Sequence, residues 1–297
     1  MVKRLSSHRL AVLQALFVTF LWSTSWILIK IGLQDIPALT FAGLRYCLAF
    51  LCLIPFTFQH KNRVALHGLT FRQWELLIFL GLLYYTVVQG ATFLGLAYLP
   101  AATVSLIWNF TSLVVAGMGL IWLSESPGRF GVLGIIISIG GAMVFFYPVV
   151  FPTVQVFGIL VSVIGMLTNA GASTLGRAVN SREGIPPLVV TTVSMGFGAL
   201  ALLLIGGLVE GIPPLDFAHW AIIGWLAVVN TAFAFTLWNH TLRTLSAMES
   251  SVINSTMLMQ TALLAWIFLG ENLTIQEWVG LLLVSSGVII VQLRQRI

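Results

Sequence analysis

Ten apolar runs of about twenty residues, separated by intervals too short for an inserted domain, leave this chain few ways to fold. They lie at 10–33, 38–58, 74–98, 101–123, 129–148, 153–179, 187–208, 218–242, 248–269 and 275–293. Each is long enough for a helix to cross roughly 30 Å of hydrocarbon. A membrane barrel would instead show segments of about ten residues with alternating polarity. Only 8% of the 297 residues are charged, against about 25% in a soluble domain. Mean hydropathy is +1.02. The expected fold class is an all-α membrane protein with ten transmembrane helices, multi-pass in the lipid bilayer of the cell (inner) membrane.

The basic residues set the orientation. With a cytoplasmic N-terminus, the cytoplasmic segments hold Lys3, Arg4, Arg9, Lys61, Arg63, Arg72, Arg129, Arg177, Arg182, Arg243, Arg294 and Arg296, twelve of the fourteen Lys and Arg. The loops on the other side hold none, which is the positive-inside pattern and puts both termini in the cytoplasm. It also accounts for the net charge of +5 without any nucleic acid partner. The N-terminal MVKRLSSHRL has the charge of a signal peptide. The apolar run behind it is too long for one and lacks an A-x-A site, so it is read as a retained first span.

Catalytic machinery is not legible. Cys47 and Cys52 stand five apart in the second run, on different helix faces, and read as buried small residues rather than a disulfide or metal site. No His pair has metal-ligand spacing and no Asp lies mid-membrane, so neither an enzyme, a metal site nor a cofactor is expected.

One phrase occurs twice. Glu125, Gly134 and Gly141 recur as Glu271, Gly280 and Gly287, each pair 146 residues apart. Each half holds five runs, and because five is odd the second half enters the bilayer upside down. The chain is therefore expected to be two inverted five-helix repeats, 1–148 and 149–297, with substrate handled near the bilayer midplane at their interface. Gly131, Gly134, Ser138 and Gly141 share a helix face that admits a close neighbour, from this chain or from a second protomer. A monomer or weak homo-oligomer fits either case. Thr274 and Glu277 form a capping box for the tenth helix, and Ser126–Pro127 read as the start of the fifth. Glu125 and Glu271, just before those starts, read as helix-end anchors or as substrate contacts.

The doubled phrase resembles the two EamA-type halves of the drug/metabolite transporter superfamily. Trp22, Lys30, Pro37, Arg45 and the turns around Ala101 and Ala247 belong to the same resemblance, which covers essentially the whole chain. The chain departs from that pattern where Ser112 and Leu258 stand in place of prolines inside the fourth span of each repeat. Trp22 has no second-half counterpart, and Ser194 stands where Arg45 would recur. The resemblance implies a carrier working by alternating access. Within the superfamily the aromatic interior is most similar to the aromatic amino acid exporters of the YddG type, which implies export of aromatic and other neutral amino acids.

Polar or aromatic stripes on otherwise oily helices mark the expected central cavity. Span four carries Ser105, Trp108, Asn109 and Ser112 on one face, and span nine carries Ser250, Asn254, Met257 and Thr261. The offset of 146 maps Ser105 onto Ser251, Trp108 onto Asn254 and Asn109 onto Ser255. Trp22 and Trp26 in span one, Tyr84, Tyr85 and Gln89 in span three, Asn169 in span six, and Trp238 and Asn239 in span eight complete the candidates. For any one Asn, helix–helix bonding and ligand contact both remain open.

Spans nine and ten hold no Lys or Arg before Arg294, so fixed cations for a phosphorylated substrate are missing there. A small, part-apolar zwitterion suits Asn, Trp and Tyr, with its ring stacked and its ammonium over an aromatic face. Other metabolites and amphipathic cationic drugs are the alternative substrates, and a channel is the alternative mechanism. All nine acids fall in loops or at span ends, which leaves no mid-membrane proton carrier and suggests a facilitated carrier or exchanger.

Overall fold

The computed structural model describes residues 2–123, 128–148, 152–182, 185–241, 243–245 and 247–293. The described residues are helical apart from short connections, with no strand among them. Span one is Val2–Gly32, span two Ala38–Thr57, span five Gly128–Phe146, span six Thr153–Arg182, span seven Pro187–Val209, span nine Ala247–Leu269 and span ten Ile275–Leu293. Span three runs through Phe71–Gly81, Leu82–Val88 and Gln89–Tyr98, and span eight through Phe217–Ala227, Val228–Phe233 and Ala234–Thr241. Span four comes in two pieces, Ala101–Asn109 and Thr111–Leu123. Nine of these helices are long and apolar enough, among the described residues, to cross a membrane, and Ala101–Val115 adds a shorter one. A short helix, His60–His67, occupies an interval that hydropathy leaves as loop. Large apolar side chains such as Leu13, Ile136 and Phe268 are exposed, as lipid-facing positions require.

The helices fall into two compact units. The first comprises Met1–Leu28, Leu99–Phe157 and Phe233–Ile297; the second comprises Ile29–Tyr98 and Gly158–Ala232.

The first unit is built on spans five and ten. A Cβ on Gly134 would stand 2.7 Å from the Gly287 carbonyl oxygen, and one on Gly280 would stand 2.8 Å from that of Gly141. The contact is reciprocal, 134 with 287 and 141 with 280, so the helices run antiparallel and meet on the glycines of the repeated phrase. The close neighbour of the Gly134 face is thus span ten of this chain. Leu106, Phe145, Leu258, Leu281 and Val284 fill the core beside this seam.

The second unit has a seam of its own. Spans two and seven approach at Gly43, whose added Cβ would meet the Leu203 backbone at 2.5 Å, and at Gly206, where one would meet the Thr40 nitrogen at 2.5 Å. Gly81 of span three lies against the Ser194 carbonyl of span seven. Leu77, Leu80, Val189 and Val193 pack around that crossing.

Proline breaks neither half of span four, yet the span is interrupted. The Phe110 amide bonds Ile107 at i−3, 3.1 Å, and the Ser112 hydroxyl donates to the Asn109 carbonyl at 2.9 Å. A hydroxyl competing for a backbone carbonyl loosens the ladder much as a missing N–H would. Span nine, with Leu258 at the corresponding place, is continuous.

Two π-helical segments, Leu82–Val88 and Val228–Phe233, begin the same 146 residues apart. The repeat is therefore visible in backbone irregularity where LLYYTVV and VVNTAF hardly resemble each other. Such segments insert an extra residue into a turn and recur at functional sites.

Carboxylates hold the starts of two helices. Pro37 and Pro100 precede spans two and four and offer no side-chain cap. Glu210 accepts from the Leu39 and Thr40 amides at 2.8 and 3.0 Å, and Glu271 from those of Ala101 and Ala102 at 2.6 and 3.2 Å. Glu271 is indeed a helix-end anchor, but of span four rather than of span ten. The start of span ten is closed by Thr274 and Glu277, as their spacing predicts. Gly270, at φ +65°, turns the chain between the end of span nine and Glu271. Glu125 and Ser126–Pro127 lie outside the described residues.

Candidate functional site

The aromatic candidates, with Asn109 and Gln89, gather in two places, one in each unit. In the first unit the Trp22 ring lies 5.2 Å from Phe235 and 5.2 Å from Trp238, tilted against both. Trp26 meets Trp108 edge-on at 6.4 Å. Span one thus carries two tryptophans one turn apart, each matched to an aromatic partner on another helix. The indole nitrogens of Trp22 and Trp108 and the side-chain oxygen of Asn109 are buried without a hydrogen-bond partner. A buried donor or acceptor left unmade costs about 1–3 kcal/mol. Three such atoms on three sequence-predicted residues are a costly arrangement for a scaffold and a useful one for holding a polar solute.

The polar groups of Thr19, Ser23, Thr256 and Gln260, by contrast, are satisfied. The Ser23 hydroxyl donates to Gln260 Oε1 at 3.1 Å, and Gln260 Nε2 donates to Thr19 and Thr256 at 3.3 and 3.0 Å. Sequence reasoning missed this knot joining spans one and nine. Its signal was Thr19, Ser23 and Trp26 at i, i+4 and i+7, answered by Thr256 and Gln260 one turn apart. On span nine these two take the face towards span one, while Asn254 is exposed. The side chain of Asn239 lies outside the described residues.

In the second unit the Tyr46 hydroxyl donates to Gln89 Oε1 at 2.7 Å. The Tyr46 ring packs on Tyr85 at 5.6 Å, and Tyr85 on Tyr84 at 5.3 Å. Asn169 is half-buried on span six. The sequence candidates Tyr84, Tyr85 and Gln89 therefore belong to one network, organised by a tyrosine that sequence reasoning did not select.

That network borders Arg45. The side chain is 5% exposed, about 10 Å into span two from its start. Its guanidinium carbon lies 5.1 Å from the Tyr46 ring centroid and 6.0 Å from that of Phe93. One nitrogen donates to Thr231 Oγ1 at 3.3 Å, beyond the usual 2.7–3.2 Å, and Nε has no partner. None of the ion pairs among the described residues involves Arg45. A charge at the centre of a span costs about 2.5–3.5 kcal/mol on the insertion scale, and the two rings return about 0.5–2. Thr231 sits in the second π-helical segment, and its own hydroxyl donates a hydrogen bond to the Leu226 carbonyl, five residues back. The signal that would have found Arg45 is its presence as an ionisable residue inside an apolar run. The other cation of these spans, Lys30, donates to the Leu96 carbonyl at 2.6 Å, near a helix C-terminus where positive charge is favourable.

A family model described as "EamA-like transporter family" matches this chain twice, over residues 9–147 and 156–293. "Uncharacterized transporter YvbV" of Bacillus subtilis (strain 168) is 27% identical, over 99% of this chain and 95% of that protein. "Uncharacterized transporter YoaV" of the same organism is 22% identical over 91% and 92%. A protein of Salmonella typhimurium named "Probable amino-acid metabolite efflux pump" is 23% identical over 93% and 92%. None of these three names specifies an aromatic solute. A solved crystal structure matches with a TM-score of 0.68 at 16% identity, over 97% of this chain and 99% of that one, a likeness of fold.

Proposed function

This chain belongs to the EamA-like transporter family, and from that premise we propose that it exports small, part-apolar zwitterions, aromatic and other neutral amino acids first among them. The observation that carries this reading is the tryptophan cluster of the first unit, where two indole N–H groups and the Asn109 oxygen are buried and unpartnered. A solute with an aromatic or aliphatic body fits between rings, and its polar groups supply what those atoms lack. The Salmonella relative named for amino-acid metabolite efflux supports the same class. An ammonium over the Trp22 and Trp238 rings would suit an amphipathic cationic drug equally well, which keeps that alternative open.

Alternating access by two inverted repeats, 1–148 and 149–297, is the mechanism that goes with this reading. It draws support from the reciprocal pairing of Gly134 with Gly287 and of Gly141 with Gly280, which a two-fold relation between the repeats requires. Both termini are proposed to be cytoplasmic, on the distribution of Lys and Arg. The test is counterflow in proteoliposomes against amino acids, sugars, phosphorylated compounds and lipophilic cations. Saturable exchange confined to neutral amino acids is expected. Exchange confined to sugars or phosphorylated compounds would overturn the assignment.

A further inference from the structure

The second unit holds a charge that the tryptophan cluster does not explain. Among the described residues Arg45 is the one buried Lys, Arg, Asp or Glu side chain. Among those residues it has no carboxylate partner, an unpartnered Nε, and a single long hydrogen bond to a hydroxyl. A structural guanidinium in hydrocarbon is normally closed by an anion or a set of carbonyls. Here it is closed by two ring faces and Thr231, a weak set to hold a cation that never meets an anion.

We propose that Arg45 is the anchor of a carboxylate site, taking the single carboxylate of the carried solute in bidentate fashion and displacing Thr231. Planar guanidinium and planar carboxylate match as two parallel hydrogen bonds, so Nε and one terminal nitrogen gain the partners they lack. Thr231 is suited to be displaced. It rides on a π-helical segment, and its hydroxyl already has a second partner in the Leu226 carbonyl. Tyr46 and Phe93 line the site with apolar faces, while the Tyr46–Gln89 hydrogen bond fixes the nearer ring. One buried positive charge matches one negative charge, so a phosphate or a dicarboxylate would bring charge that nothing here neutralises. In this conformation the guanidinium is occluded, so binding follows an opening of the network rather than a static pocket.

The inference deepens the amino-acid reading by naming the group recognised, and it also stands apart from that reading, because any monocarboxylate fits Arg45. The full chain is purified in detergent and its thermal unfolding followed with amino acids, their amides, the matching decarboxylated amines and simple aliphatic and aromatic monocarboxylates. Solutes that raise the melting temperature should be those with a carboxylate, binding about ten- to a hundredfold tighter than their amides. Arg45→Gln should abolish this preference and Arg45→Lys retain part of it, in material that elutes as a single species. If Arg45→Gln does not fold, the wild-type acid-to-amide ratio and Thr231→Val, which should leave the preference intact, decide the question. Amides or amines that stabilise as well as acids would overturn the proposal. So would a panel in which no carboxylate stabilises, or an acid preference that survives in folded Arg45→Gln. Stabilisation by simple monocarboxylates but not by amino acids would keep the site and remove the amino-acid reading.

Discussion

The two units solve the same packing problem and differ in how they treat polar atoms. Each is seamed by an antiparallel helix pair with glycines at the contact, spans five and ten in one and spans two and seven in the other. Around the first seam, polar groups on Trp22, Trp108 and Asn109 are buried and idle beside a satisfied knot of Thr19, Ser23, Thr256 and Gln260. In the second unit the tyrosine and glutamine are paired, and an idle atom, Nε of Arg45, belongs to a charge. In lipid, helices gain nothing from burying apolar surface against each other, so close packing and hydrogen bonds hold them together. Satisfied groups there fit a scaffold role, and the idle ones fit the proposed solute contacts within each unit.

The seams give the largest expected effect and test whether the units are alike as scaffolds. Gly134→Leu and Gly81→Leu each drive a side chain into backbone, which cannot move aside as a side chain can, so each should exceed the about 1–3 kcal/mol of ordinary overpacking. Gly140→Leu, with nothing within 4 Å of its added Cβ, is the control. Yield and monodispersity on size exclusion read the outcome; equal behaviour of Gly134→Leu and Gly140→Leu would break the comparison.

The distinction between satisfied and idle atoms is sharper still when turned on stability. Tyr46→Phe strands the Gln89 oxygen and should cost about 1 kcal/mol. Asn109→Leu, of similar size, removes an idle acceptor and should be neutral or stabilising without substrate. Thermal unfolding of the two variants side by side reads the difference, and a loss at Asn109 as large as that at Tyr46 would remove the reason for calling it a site.

Helix starts give a smaller effect. Glu271→Ala and Glu210→Ala each remove a carboxylate that caps a proline-led helix, and about 0.5–2 kcal/mol should go with it. Hydrogen exchange should quicken at Ala101 and Ala102 for the first and at Leu39 and Thr40 for the second, with no crossover between them.

The smallest effect is one of pH. Asp216 caps span eight, and the His219 amide hydrogen-bonded to it holds its carboxyl below the ordinary 3.8. Its folded value being depressed, the cap contributes stability above the unfolded value and loses it as pH falls through the folded one. Amide exchange at His219 should quicken across that acid range, and Asp216→Asn should keep a cap while abolishing the dependence.

Most of the helical frame was legible in the sequence because a single segment in lipid can satisfy its own backbone hydrogen bonds only as a helix, and twenty apolar residues advertise it. Span boundaries such as Ala38 and Ile275 follow from Pro37 and from the Thr274–Glu277 box. The break at Phe110 was hidden because a serine hydroxyl produced it, where proline is the usual mark. The π-helical segments were hidden because they depend on how span three meets span seven at Gly81 and Gly198 and not on local composition. Of the site, the aromatic members were legible by type, whereas Tyr46, Thr231 and Gln260 draw their meaning from partners more than 40 residues away.

The central claim is that the idle atoms of the first unit handle the solute. Its most direct test is the half-saturation concentration for counterflow of the best neutral amino acid in Trp108→Ala and Asn109→Ala proteoliposomes. Loss of a stacked ring, or of the acceptor that completes the solute's hydrogen bonds, should raise it about ten- to a hundredfold while folding and insertion are unchanged. Half-saturation equal to that of the wild type in both variants would contradict the account and move the site away from the tryptophan cluster.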